Sequence, residues 1–404
     1  MKKALFSIML VAVLVSGFAS MAASSEEIEL HMWSYFVEGI TADALREAVE
    51  RYSEEHPTVN IVYRAMPFAD LKREFVRAIA VEETPDIVLI DNPDHASFAA
   101  MGGFRDLTDK VAVWEHKDDF FSGPWNSTIW EGRNYGAPMG SNTIALYYNA
   151  DLFRDAGLDP DNPPQTWNEL REAAQVLATD DLYAISLSAI RTEEGTFQWL
   201  PFLWQNGGDI DDLAAPEAVE ALELWVEFVE EGYMSREVIN FTQGDAYSQW
   251  RAGTSAMAID GSWRVEFLRG DPVDFEWRIA LLPYSKEPAS ALGGENWAIS
   301  SQDYLEESWE FIKWVQKPEN KEPINIAGRL PARSDIAAAS DYWAEDPVYE
   351  IFLEQMKYAR ARGPHPNWPE ISHEIQLAIQ RALTGDMSAQ EALEIAAANV
   401  AELL

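Results

Sequence analysis

Hydrophobic and polar positions change period several times along the chain, and each change marks a predicted element. Residues 28–33, Ile-Glu-Leu-His-Met-Trp, alternate as a half-buried strand does. Over 40–57 the period lengthens, placing Leu45, Ala48, Val49 and Tyr52 on one helical face, with Thr41 positioned to cap it and Pro57 to stop it. Residues 59–66 predict a second strand, 68–83 a second helix, and the apolar run 86–91 after Pro85 a third strand. A β-α-β-α-β order of this kind predicts a parallel sheet covered by helices on both faces.

A polar, glycine-containing stretch at 130–142 breaks the pattern, which resumes with a strand at 143–149. A helix follows at 166–178, opened by a capping box from Thr166 to Glu169. Pro216 and Gly232 bracket another helix, with Val219, Leu222, Val226 and Val229 on its core face. Strands at 255–260, 277–283 and 297–300, a helix at 304–317 and a last helix over 387–404, with a second box from Ser388 to Glu391, complete the pass. No internal repeat stands out.

Ahead of the first strand, Lys2 and Lys3 precede an apolar run and then small residues, the order of a secretory signal peptide. The segment 1–23 is read as that signal, with cleavage after Ala22 or Ala23. After Ser25 no apolar stretch is long enough to span a bilayer. The chain has no cysteine, hence no disulfide and no thiol for a lipid anchor at the cleavage site. An exported, unanchored protein stays near its cell only behind an outer membrane, so a periplasmic location is expected. What remains is enough chain for two ordinary domains. Its 68 acids against 30 bases give a net charge of -38, which argues against nucleic acid or an anionic membrane as partner.

Enzyme signatures fail on inspection. There is no G-x-S-x-G elbow, no phosphate loop ending in Lys-Ser/Thr and no G-x-G-x-x-G. His373 and Glu374 begin like a zinc-protease helix but lack the second histidine, and 207–212 lacks the spaced ligands of a calcium loop. No cofactor and no metal are therefore expected. A pair of carboxylates acting on a glycosidic bond stays open among 68 acids. Tryptophan is the unusual residue, 16 in 404. Trp33, Trp125, Trp199, Trp263, Trp297 and Trp368 stand beside turn or polar residues, where an indole either packs or offers its face to a sugar ring.

Several segments carry a family pattern in order. These are Pro85-Asp86 before the third strand with its loop through Asp109; Gly136 to Leu170, with Tyr148-Asn149, Ala156-Gly157-Leu158 and Thr166-Trp167; Ala252 to Trp263; Leu292 to Ser300; and Gly328 to Asp335. On these motifs the chain resembles the family 1 extracellular solute-binding proteins, the sugar-capturing components of ATP-driven importers. The resemblance implies an α/β, two-lobed periplasmic-binding-protein-like fold (type II), with a ligand cleft between lobes and a three-segment hinge near Arg133, Leu282 and Ala327. Lobe I would span 24–133 plus 283–326, and lobe II 134–282 plus 327–404. It implies a monomer that captures a carbohydrate by hinge closure and hands it to permease subunits in the inner membrane, without catalysis.

Carried over position by position, the resemblance assigns ligand contacts to Trp33, Tyr35 and Glu38 after the first strand and to Asp91 and Asn92 after the third. It also assigns Asn142, Phe197, Trp199, Trp263, Gly294, Glu295, Trp297, Arg362 and Trp368, with Arg329 beside a glycine turn. One departure stands out: Glu295 and Asn296 separate the twin glycine from Trp297, where sugar-binding members often place an aromatic sooner. Either Glu295 or Trp297 would then face the cleft. A secreted hydrolase, a sensing receptor, and a binding protein for a polyol or glycerol phosphodiester remain alternatives.

Overall fold

The computed structural model describes residues 27–404, and the signal peptide expected at 1–23 lies outside the described residues. Strand β1 (Ile28–Ser34), helix α1 (Ile40–Glu55), strand β2 (Val59–Ala65), helix α2 (Phe68–Val81) and strand β3 (Ile87–Asp91) follow as the periodicity predicts. Helix α1 buries Leu45, Ala48, Val49 and Tyr52, and α2 buries Leu71, Phe75 and Ala78. β1 pairs in parallel with both β2 and β3. All five residues of β3 are buried, because one core around Ile87, Leu89 and Trp297 and another around Phe75, Ile90 and Phe98 cover its two faces.

The sheet is not wholly parallel. Its order is β2, β1, β3, then the strands Glu295–Ile299 and Gly136–Pro138. Glu295–Ile299 runs antiparallel to both neighbours, which leaves it the one reversed strand of five. It enters from the edge at which the other strands end, having come from the second lobe. The second sheet obeys the same logic, in the order Trp277–Ala280, Ile144–Asn149, Ser255–Gly261, Tyr183–Ser186. There Ile144–Asn149 alone is reversed, entering from the first lobe. Helices cover this sheet too: one core gathers Trp199, Leu222, Ile375 and Leu393, the other Tyr147, Trp250, Tyr349 and Phe352. The strands that are not reversed in each sheet thus end towards the other lobe.

Sheet membership puts two of the connections later than the positions near Arg133 and Leu282. Gly136–Pro138 still belongs to the first sheet, and Ser290–Leu292 pairs instead with Ala359–Ala361. The chain passes between lobes at 139–143 and 293–294, with 327–330 alongside: Ser141 bridges Leu330 and Asn142 bridges Gly293. After Leu330 it returns to the first lobe, where Phe121 N–H donates to Ala332 and Arg333 to the Gln316 carbonyl. The capping boxes at Thr166 and Ser388 both form. Thr41 does not cap α1: Gly39 takes that place, and the Thr41 hydroxyl donates to the Ala327 carbonyl at 3.1 Å. Among the described residues no helix is long and apolar enough to cross a membrane.

Candidate functional site

A cavity of about 510 Å³ lies between the lobes, where the strand ends of both sheets converge. The first lobe supplies Tyr35, Phe36 and Glu38 after β1, Thr41 in α1, Phe68 at the start of α2, Asp91 at the end of β3, and Glu295. Antiparallel register sets Glu295 directly beside Asp91, so two acids from distant sequence share one edge. The second lobe supplies Glu193, Glu194 and Phe197 from helix Glu193–Gln205, Thr242 to Gly244, and Trp263, Arg264 and Phe267 beyond strand Ser255–Gly261. Asn142, Arg329 and Arg362 complete the lining.

Arg362 crosses the cleft floor. Its Nη1 donates to Asp91 Oδ2 at 3.2 Å and to Glu193 Oε1 at 2.9 Å, while Nη2 donates to Asp91 Oδ1 at 3.1 Å and to Asn92 Oδ1 at 3.2 Å. One guanidinium therefore ties the end of β3 to a helix of the other lobe, in the two-pronged geometry that arginine alone provides. Burial works against its charge, but Asp91 and Glu193 outweigh that and hold its pKa above the usual value. Its plane lies over Phe197, 4.4 Å from the ring centroid. Glu193 is anchored in turn by Trp368 Nε1 at 3.1 Å and by the Ser372 hydroxyl.

A second cluster centres on Glu295. Tyr35 donates its hydroxyl to Oε1 at 2.7 Å, and Arg329 Nε lies 3.2 Å from Oε2 without the alignment of a hydrogen bond. Burial raises the Glu295 pKa, and Arg329 and the Tyr35 hydroxyl only partly oppose it. Tyr35 is raised well above its ordinary value, first by burial and then by Glu295. Arg264 is committed to Asp260 at 2.9 Å behind the wall. Glu194, its pKa also raised by burial, accepts the Gln243 N–H at 2.6 Å.

Of the positions read from sequence, Tyr35, Glu38, Asp91, Asn142, Phe197, Trp263, Glu295 and Arg362 line the cavity together. Six do not. Trp199 is wholly buried in the second-lobe core, two residues round the helix from Phe197. Trp297 is wholly buried in the first-lobe core, on the same strand face as Glu295 but two residues deeper, so Glu295 is the one at the cleft. Trp368 is buried and reaches Glu193 rather than the cavity. Trp33 packs on the flank of β1, with the Arg64 guanidinium 5.0 Å from its ring. Asn92 is buried under Arg362.

Gly294 serves chain passage instead of ligand approach. Its φ is +142°, and an added Cβ would stand 2.3 Å from the Gly140 carbonyl oxygen of the neighbouring crossing segment. Glu193, Glu194, Phe68, Arg264 and Phe267 were not singled out by sequence. A signal for the first two existed: Thr192 followed by two acids opens a helix, and its hydroxyl accepts the Glu194 N–H.

Compared with known proteins, the chain is 24% identical to the sn-glycerol-3-phosphate-binding periplasmic protein of Escherichia coli K12, covering 97% of this chain and 96% of that one. A solute-binding protein of Thermotoga lettingae solved with α-D-tagatose shares 27% identity and a TM-score of 0.86, covering 93% of this chain and 99% of that one. Thermotoga maritima MalE3 solved with maltose shares 25% and a TM-score of 0.85, over 93% and 100%. The cyclic α-maltosyl-1,6-maltose binding protein of Arthrobacter globiformis shares 28% and a TM-score of 0.76, over 93% and 98%. Residues 47–350 match the profile described as bacterial extracellular solute-binding protein. With that match across most of its length and the two-lobed fold around one cleft, the chain belongs to the bacterial extracellular solute-binding proteins.

Proposed function

We propose that the chain captures a carbohydrate in the interlobe cavity, closes around it on the segments that join the two lobes, and delivers it from the periplasm to the permease of an ATP-driven importer. The single observation that carries this is the lining itself. Aromatic rings of Tyr35, Phe36, Phe197, Trp263 and Phe267 stand among Asn142, Asp91 and Glu295, giving apolar faces beside fixed acceptors. That combination suits a ring with apolar C–H faces and hydroxyls at its edge. A cavity of about 510 Å³ is of the size that holds a small solute. The solved relatives hold tagatose or maltose, which supports the same class here. A phosphate ester fits less well, because all three lining arginines already face carboxylates. No catalytic step is assigned, and the solute leaves unchanged.

Thermal melting with tryptophan fluorescence across a sugar panel tests this. Saturation at about 100 times Kd is expected to add about 2.7 kcal/mol of stability. A response to sn-glycerol 3-phosphate with none to any sugar would overturn the reading, and release of new products from oligosaccharides would replace it with a hydrolase.

A further inference from the structure

The charges of the cavity do not balance. Five carboxylates, Glu38, Asp91, Glu193, Glu194 and Glu295, line it against Arg264, Arg329 and Arg362. Each of those cations is already engaged. Arg264 holds Asp260, Arg329 faces Glu295, and Arg362 is shared between Asp91 and Glu193. Arg362 therefore faces two acids with one charge. Among the described residues Glu194 has no ion-pair partner, since its neighbour Arg264 is spent on Asp260, and its carboxylate accepts only the Gln243 N–H. Glu295, with a side chain 3% exposed, keeps Oε2 free of any hydrogen bond. Closing lobes over such a surplus is costly unless the occupant brings positive charge.

The walls add a second requirement. Trp263 and Phe267 flank Arg264 on the second lobe, and a ring π-face favours a cation as well as an apolar C–H surface. A simple metal ion would leave most of a 510 Å³ cavity empty and its aromatic walls unused. An anion would meet five carboxylates, and each lining guanidinium already faces an acid. A neutral sugar would satisfy the walls and leave Glu194 uncompensated. What answers every feature is a sugar ring bearing an ammonium.

Resting on the carbohydrate reading, we propose that the solute is an amino sugar, its basic nitrogen facing Glu194 and a hydroxyl facing Glu295. The test is calorimetry on the mature chain at neutral pH with D-glucosamine, D-galactosamine and D-mannosamine. Each is compared with its N-acetyl derivative and its parent hexose. At least one amino sugar is expected to bind ten-fold or more tightly than both of its counterparts. Glu194→Gln keeps the shape and the acceptor for Gln243, and is expected to abolish that preference. A parent hexose or N-acetyl sugar that binds as well as its amine sinks the proposal and leaves the carbohydrate reading standing. Silence from every member of the set sinks the proposal, while the carbohydrate reading stands or falls by the wider sugar panel, and a preference surviving Glu194→Gln removes Glu194 from the role. The ligand comparison needs only wild-type protein, so a poorly folding variant does not blunt it.

Discussion

Arg362 shows how far a side chain's role depends on neighbours that sequence cannot place beside it. An arginine in a Gly-Pro loop is legible as a donor for hydroxyls; that both its Nη atoms are consumed by Asp91, Asn92 and Glu193 is visible only in the fold. Removing it strands two buried acids, so Arg362→Met is expected to cost about 3–5 kcal/mol in urea unfolding. The same change at Arg278, whose side chain is 32% exposed beside Asp161, is expected to cost about 1 kcal/mol or less. Equal costs would show the cross-cleft tie to be energetically idle. His95 carries a pH prediction of its own. Burial depresses its pKa to about 3, against an ordinary value of 6.5. The folded state then binds fewer protons than the unfolded one, so the stability it contributes is complete above pH 6.5 and drains as pH falls to about 3, at about 1.4 kcal/mol per unit. Asp94, pushed up to about 6 mainly by burial, works with the opposite sign: it adds stability as pH falls from about 6 to 4. Below that window carboxylates held low by their partners, such as Asp335 and Glu391, titrate beside His95, so His95→Phe is expected to make the acid limb shallower there without abolishing it. An unchanged slope would exclude His95 as the source.

At the scale of elements, patterning is legible where local chemistry decides and misleading where a crossing strand intrudes. The capping boxes at Thr166 and Ser388 form because side chain and backbone partners lie three residues apart. The α1 cap departs from the pattern because Thr41 is drawn away by a carbonyl 286 positions on, at Ala327. The residues 297–300 predict a strand but not its direction, and direction is what brings Glu295 rather than Trp297 to the cleft. The twin glycine is the clearest case. Two adjacent glycines admit a turn, a phosphate cradle or a ligand approach, and the structure makes them a crossing pressed against segment 140–142. Gly294→Ala sets a side chain at φ +142° against backbone, and is expected to destabilise by about 2–3 kcal/mol or more in denaturant unfolding. Gly132→Ala, at φ +74° with nothing within 4 Å, is expected to cost only about 1 kcal/mol. If the two substitutions prove alike, close packing of the crossings is not what fixes that glycine.

Across the whole molecule, the two-lobed architecture is legible from motif order, whereas the lining of the cleft is legible only in part. Strand ends are readable, but helix starts such as Glu193–Glu194 and side chains such as Phe267 reach the cavity only after the lobes have met. Phe267 touches the first lobe directly: a Cβ added to Gly39 would come within 2.6 Å of its ring. Closing these lobes also brings together two bodies that share a net charge of -38. With 68 acids against 30 bases, 38 negative charges are left unneutralised whatever the pairing, so self-repulsion outweighs surface ion pairs worth about 1 kcal/mol or less each. Salt weakens repulsion and pairing alike, since the screening length falls from about 30 Å at 0.01 M to about 3 Å at 1 M. Repulsion is the stronger of the two, so the melting temperature of the unliganded protein is expected to rise as sodium chloride goes from about 0.01 to 1 M. The buried Arg362 tie, screened far less than surface charge, is expected to keep its contribution across that range. A melting temperature that falls with salt would mean that the ion pairs at the surface, not the repulsion among excess acids, set the electrostatic balance of the folded protein.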